Sequence, residues 1–138
     1  MDKAMNYVAL AKKGRLIELG EEPVGAVTRA LKARLVIVAS DASDHTWRRA
    51  KSFVAGTDQQ CIRVSYTKDE LGFVVGRQSL AILALTDAAM AASFVKALPD
   101  AAKFADVAAK LEEKAAKLKQ RKDEAKAHQR NVRFGKKK

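Results

Sequence analysis

Ala33-Arg34-Leu35-Val36-Ile37-Val38-Ala39-Ser40-Asp41-Ala42-Ser43, residues 33–43, decides the architecture. Leu35 to Ala39 is an unbroken aliphatic run, the pattern of a strand covered on both faces rather than on one. Ser40 to Asp44 then offers helix-capping side chains. His45 to Ala55 follows with Trp47, Ala50 and Val54 spaced for one helical face, and Gly56 ends it. A doubly covered strand that runs straight into a capped helix needs helical layers on both sides of a sheet.

Working outward, the same alternation continues in both directions. Lys3 to Lys13 carries Met5, Val8 and Ala9 at helical spacing and stops at Gly14, while Arg15 to Leu19 alternates loosely, as an edge strand does. Pro23 stands where a helix would open, and Val24, Val27, Ala30 and Leu31 form an apolar stripe through Lys32. On the other side, Cys61 to Ser65 is a second short strand. Thr67 and Glu70 match a capping box that opens a short helix closing at Gly76. Leu80 to Leu85 is another continuous apolar strand, and Asp87 to Leu98 is a helix halted by Pro99. The fold class is therefore α/β, a three-layer α/β/α sandwich occupying residues 1–98. Residues 99–138 form an extension of different character. Asp100 can cap a helix carrying Phe104, Val107, Leu111, Ala115 and Leu118, after which only Val132 and Phe134 are isolated apolar residues. Two readings of this extension stand: a helix docked to about Leu118 with a solvated continuation, or a disordered tail.

With 138 residues the chain accommodates one domain plus an appendage, and its low aromatic content of 6% predicts a core of aliphatic side chains. A single cysteine, Cys61, rules out an intrachain disulfide and reads as a small buried hydrophobe. No apolar run approaches the roughly 20 residues that span a bilayer, and no signal segment opens the chain, which predicts a soluble, cytoplasmic protein without a membrane partner. The net charge of +11 asks for a polyanion. From Lys110 onward twelve basic side chains face four acidic ones, so residues 110–138 carry a surplus of eight of those eleven charges. Lys119, Arg121, Lys122, Arg130 and Arg133 are its candidate phosphate contacts.

Catalytic chemistry finds no foothold. The two histidines, His45 and His128, fall in no metalloprotease, redox, nucleotide-loop or nucleophile-elbow motif, and Asp41 with Asp44 reads better as capping than as a cation site. No cofactor and no metal site is expected. The start of the second helix is more informative. Gly20, Pro23 and Gly25 flank it, and Gly25 in its first turns costs about 1 kcal/mol relative to alanine, which asks for a reason. Close approach of a partner backbone and tight packing against a neighbouring helix are both admissible. Arg29, Lys32 and Arg34 place charge around the same element, and Arg77-Gln78-Ser79 forms a second polar wall.

Gly20-Glu21-Glu22-Pro23-Val24-Gly25-Ala26-Val27, the stretch from Ala33 to Ser43, and Thr67-Lys68-Asp69-Glu70-Leu71-Gly72 with Gly76 resemble the kink-turn-binding ribosomal protein family of the L-seven-Ae and L-thirty-e type. The likeness is greatest to the small bacterial YlxQ-type members, and it covers Met5 to Leu98. It implies a mixed four-stranded sheet of L-thirty-e type, with structured RNA bound at one end and no enzymatic activity. It also implies association with the ribosome and with ribosomal or translation-associated proteins. By position it assigns the RNA surface to Gly20, Glu21, Glu22, Pro23 and Gly25, with Arg29 and Lys32 along the same helix, and to Val75, Arg77 and Gln78 in the last loop. The chain departs from the family pattern at Glu22, Pro23 and Ala26, where basic or amide residues are common, and acidic side chains beside phosphate oppose binding. The rival reading is a protein-interaction module whose basic tail binds RNA non-specifically.

Overall fold

The computed structural model describes residues 2–133, with side chains through Gln129. In chain order it contains α1 (Lys3–Lys13), β1 (Ile17–Leu19), α2 (Glu21–Arg29), β2 (Leu35–Val38), α3 (Asp44–Val54), β3 (Gln60–Arg63), α4 (Lys68–Val74), β4 (Ile82–Leu85), α5 (Ala88–Lys96), a 3-10 turn (Ala101–Phe104) and α6 (Ala105–Arg133). The sheet order is β1-β4-β2-β3. β2 and β3 are parallel, and both pairings of β4 are antiparallel. The two aliphatic runs are thus the two central strands, buried along their whole length, while edge strands β1 and β3 are only partly covered. α2 and α3 pack together on one face, and α1, α4, α5 and α6 pack on the other. Phe94 is the one large aromatic among fully buried side chains otherwise dominated by Leu, Ile and Val, as the composition predicts.

Local signals act as their chemistry dictates. Thr67 and Glu70 form both halves of the capping box: Thr67 Oγ1 accepts from the Glu70 N–H at 3.1 Å, and the Glu70 carboxylate accepts from the Thr67 N–H at 2.9 Å. Ser43 caps α3 and Asp87 caps α5. Asp41 accepts from the Lys68 N–H at 2.8 Å, so the aspartates of this loop serve helix starts.

Four details differ from the sequence reading, each for a local reason. α2 opens at Glu21, with Gly20 as its N-cap and Pro23 already in the first turn. The same helix ends at Arg29, and Leu31 leaves the apolar stripe for solvent, 58% exposed. Leu31 takes φ +60° so that its N–H reaches Thr28 O and that of Lys32 reaches Val27 O, which closes the helix end. At the end of α1 the left-handed position falls likewise on Arg15 (φ +59°), one residue beyond Gly14. Finally, Asp100 makes no side-chain cap, and its Oδ1 is buried without a partner among the described residues.

As far as Arg133 the extension is described as the 3-10 turn and α6. Ala108 and Leu111 are buried in the core and Val107 and Leu118 are partly covered, whereas every described side chain from Lys119 is exposed. The helix nevertheless continues to Arg133, because Ala, Lys, Glu, Gln and Arg are all strong helix formers. Lys114 anchors it to Asp58 at 2.9 Å, and that ammonium holds the Asp58 carboxyl below its usual range.

The register defines two ends of the sheet. Leu19, Ile82, Val38 and Arg63 lie at one, Ile17, Leu85, Leu35 and Gln60 at the other. α2 runs from the first to the second, about 13 Å for nine residues.

Candidate functional site

The site is built at the Gly20 end. Gly20 adopts φ +95°, a region open to glycine, and its N–H donates to Ile82 O at 3.0 Å, fixing the first turn of α2 over the start of β4. Glu21 and Glu22 in that turn favour the helix through its dipole. They do not present equal charge to a ligand. Glu21 Oε1 pairs with Arg49 Nε at 2.6 Å across to α3, leaving Glu22 as the exposed carboxylate with no ion-pair partner among the described residues.

The second wall is the loop from Val74 to Ser79. Gly76 takes φ +78° after α4, its N–H donating to Phe73 O and the Arg77 N–H to Gly72 O at 2.8 Å, the same closing motif as at the end of α2. Gly72 makes this possible. A Cβ there would lie 2.7 Å from Ser79 Cα and 2.8 Å from both Arg77 O and Ser79 N, so the returning backbone occupies the space of a side chain. The result buries Val75 and presents Arg77 and Gln78 to solvent.

These two walls meet. The position of a Cβ on Gly20 is 3.8 Å from Arg77 Nη1, and Arg77 shares a shallow depression with Lys12, Arg15, Glu18 and Pro23. Lys12 and Arg15 were not singled out by the sequence. Their signal was the basic end of α1 at Lys12, Lys13 and Arg15, legible only once β1 had carried it beside Pro23. Among the other site residues, Glu22 and Pro23 are exposed beside this depression, while Gly25 is buried with its Cβ position 3.2 Å from the Phe53 ring. That contact provides the packing reason for a glycine in α2. Arg29 folds back along the helix, its Nη1 3.3 Å from the same position.

Lys32 is not part of this constellation. It lies beyond α2 at the opposite end of the sheet, where Gln59 holds the connection to β2 by accepting from Ala33 N–H at 3.0 Å and donating to Thr28 O at 3.2 Å. Lys119, Arg121 and Lys122 are exposed on the outer part of α6. Arg130 and Arg133 continue that helix, their side chains lying outside the described ones. Cys61 is partly covered in edge strand β3, and burial pushes its thiol up to about 12, against a role as nucleophile. Among the described residues, no group of three or more His, Cys, Asp and Glu side chains is arranged to hold a metal ion, and no helix is long and apolar enough to cross a membrane.

Over 75 residues the chain is 32% identical to the RNA-binding protein YlxQ of Enterococcus faecium, a match spanning 54% of this chain and 72% of that protein. The chain belongs to the L-seven-Ae and L-thirty-e family, in its YlxQ branch. Solved structures show the same fold. A protein of unknown function from Bacillus halodurans C superposes with a TM-score of 0.62 at 24% identity, over 68% of this chain and 98% of the other. The 15.5-kilodalton RNA-binding protein of Giardia lamblia gives 0.58 at 17% identity, over 79% and 84% respectively. No protein-family model matches the chain.

Proposed function

We propose that this YlxQ-type protein binds structured RNA of the kink-turn kind, in the cytoplasm and in association with the ribosome, through the surface at the Gly20 end of the sheet. One observation carries the reading: residues 20–25 and 74–79, far apart in sequence, form one edge in which Arg77 Nη1 lies 3.8 Å from where a Cβ on Gly20 would be, with Lys12 and Arg15 alongside. The chemistry suits a bent phosphate backbone. A side-chain-free glycine lets phosphate approach the N–H groups of the first turn of α2, whose dipole favours an anion. Arg77, Lys12 and Arg15 flank that approach from a second and a third element, so the surface recognises the disposition of phosphates rather than base identity. Arg49 removes the opposition of Glu21, and Glu22 remains as a cost. The outer part of α6 adds charge that raises the association rate. The test is a titration against a kink-turn RNA and a straight duplex of equal length at two salt concentrations. Preference for the bent RNA that survives higher salt is expected. Equal affinities that collapse together with salt would leave only the extension as the RNA contact and refute the proposed surface.

One observation favours a second, protein-binding role. Phe73 on α4 is 79% exposed and borders an apolar groove with Met5 and Val74, edged by Asp2, Asp69 and Glu70. Such a groove suits a basic partner segment with an apolar anchor. If RNA affinity is untouched by Phe73→Glu while capture of basic ribosomal proteins is lost, the groove is a protein contact separate from the RNA surface.

A further inference from the structure

The basic extension leaves the domain from the end opposite the site. The 3-10 turn starts at the Gly20 end, where Lys103 lines one depression with Ser40, Arg63 and Ser65. Nine residues into α6, Lys114 pairs with Asp58, two residues before Gln60, which is paired with Leu35 at the other end. α6 therefore crosses the domain from one end of the sheet to the other before its exposed part begins. At about 1.5 Å per residue, Lys119 to Arg133 extends a further 22 Å or so away from Gly20 and Arg77. From Lys119 onward nine basic residues face two acidic ones, and Lys119, Lys122, Lys126, Arg130 and Arg133 recur at spacings of three and four, so they fall on one stripe. Lys119, Arg121, Lys122 and Lys126 are exposed and form no ion pair among the described residues. This stripe continues the side of α6 on which Ala108 and Leu111 meet the domain, so along the helix contact passes from the protein core to the solvent. Lys32 and Arg34 lie at the same end of the sheet as the departing helix.

From this placement we infer that one molecule holds two RNA segments at once, one at the Gly20–Arg77 edge and one along the outer stripe of α6. The inference rests on the RNA reading of the first edge. Held as a helix directed away from that edge, the outer part of α6 does not reach the phosphates bound there. Its cations therefore serve a second segment, either of another RNA or of a distant part of the same one, and the protein acts as a bridge between them.

The test uses the full chain, a donor-labelled kink-turn RNA and an acceptor-labelled short duplex. Energy transfer and the mass of the complex are read together. A complex of one protein with two RNAs is expected, formed by adding the duplex without releasing the kink-turn. At a salt concentration that screens long-range steering, changing three exposed cations (Lys119→Glu, Lys122→Glu and Lys126→Glu) should weaken duplex binding at least about tenfold more than it weakens kink-turn binding. Arg77→Ala should do the reverse. Displacement of one RNA by the other, or a bridged complex that always contains two protein molecules, overturns the inference while leaving the RNA surface standing. Failure of the full chain to bind the kink-turn RNA at all would remove the reading beneath it, and the inference with it.

Discussion

Replacing Gly72 with alanine tests how the last loop is held against α4. On helix propensity alone the change should stabilise α4 by up to about 1 kcal/mol. The structure reverses that sign. The new methyl group would meet Ser79 Cα at 2.7 Å and Arg77 O and Ser79 N at 2.8 Å, all of them backbone atoms that no rotamer change can move aside. Backbone must shift by more than half an ångström to restore ordinary contact, and overpacking of this kind costs about 1–3 kcal/mol. After the propensity gain, a net loss of up to about 2 kcal/mol remains, a fall in Tm of up to roughly 8 °C for a domain of this size. The displaced segment carries Arg77, so affinity for a kink-turn RNA should fall about tenfold as well, the equivalent of about 1.4 kcal/mol. Urea denaturation and an RNA titration measure the two effects. Gly14→Ala is the control, since its Cβ would find only ordinary contacts at 3.5 Å and more, and it should change stability by less than about 0.5 kcal/mol. An alanine at position 72 that matches or exceeds the parent in stability and binds RNA equally would refute the reasoning.

Glu22→Gln should raise affinity for a kink-turn RNA severalfold at low salt and Arg49→Gln should lower it, because the first removes an unpaired carboxylate and the second frees Glu21; a salt series of titrations checks both signs. Gln59→Leu should cost about 1–3 kcal/mol in denaturant unfolding, since it strands the Ala33 N–H and Thr28 O that Gln59 satisfies. Cys61 should react with a maleimide at pH 8 at least about tenfold more slowly in the native protein than in urea, because burial suppresses both access and thiolate. Tyr66 has its phenol raised above the ordinary value, first by burial and then by its 2.7 Å hydrogen bond to Asp2. The folded protein keeps a proton that the unfolded chain releases near pH 10, so stability should decline above about pH 10, and Tyr66→Phe should flatten that decline in a pH series of melts.

Much of the fold was legible because its signals are local. Leu35 to Ala39 had to be a central strand, and Thr67 with Glu70 had to start a helix, whatever packed around them. Leu31 shows where periodicity fails. It continues the apolar spacing of α2, but spacing does not encode that the helix closes at Ala30 and turns left-handed one residue later. The site was half legible. Gly20 and Arg77 belong to motifs of family type, yet their meeting depends on β1 pairing with β4 rather than with its sequence neighbour β2. Lys12 and Arg15 lie on a segment brought there by that pairing, so no local pattern could mark them. Lys32 errs the other way, close to α2 in sequence and a helix length away from its start.

The position of β1 also imposes an order in time. Ile17 to Leu19 have no strand partner except Leu83 to Leu85, so this edge of the sheet is closed by a chain segment made some 65 residues later. Contacts so distant in sequence form late, after the local units have collapsed. β2, α3 and β3 can assemble while β4 is still within the ribosomal tunnel; Gly20 cannot, because its anchor is the carbonyl of Ile82. During synthesis the nascent protein therefore acquires strand pairing before it acquires the Gly20–Arg77 edge. Because the chain grows from its N-terminus, the cations of α6 emerge later still. A growing chain would therefore present its first strands to the RNA around it before either proposed RNA contact exists.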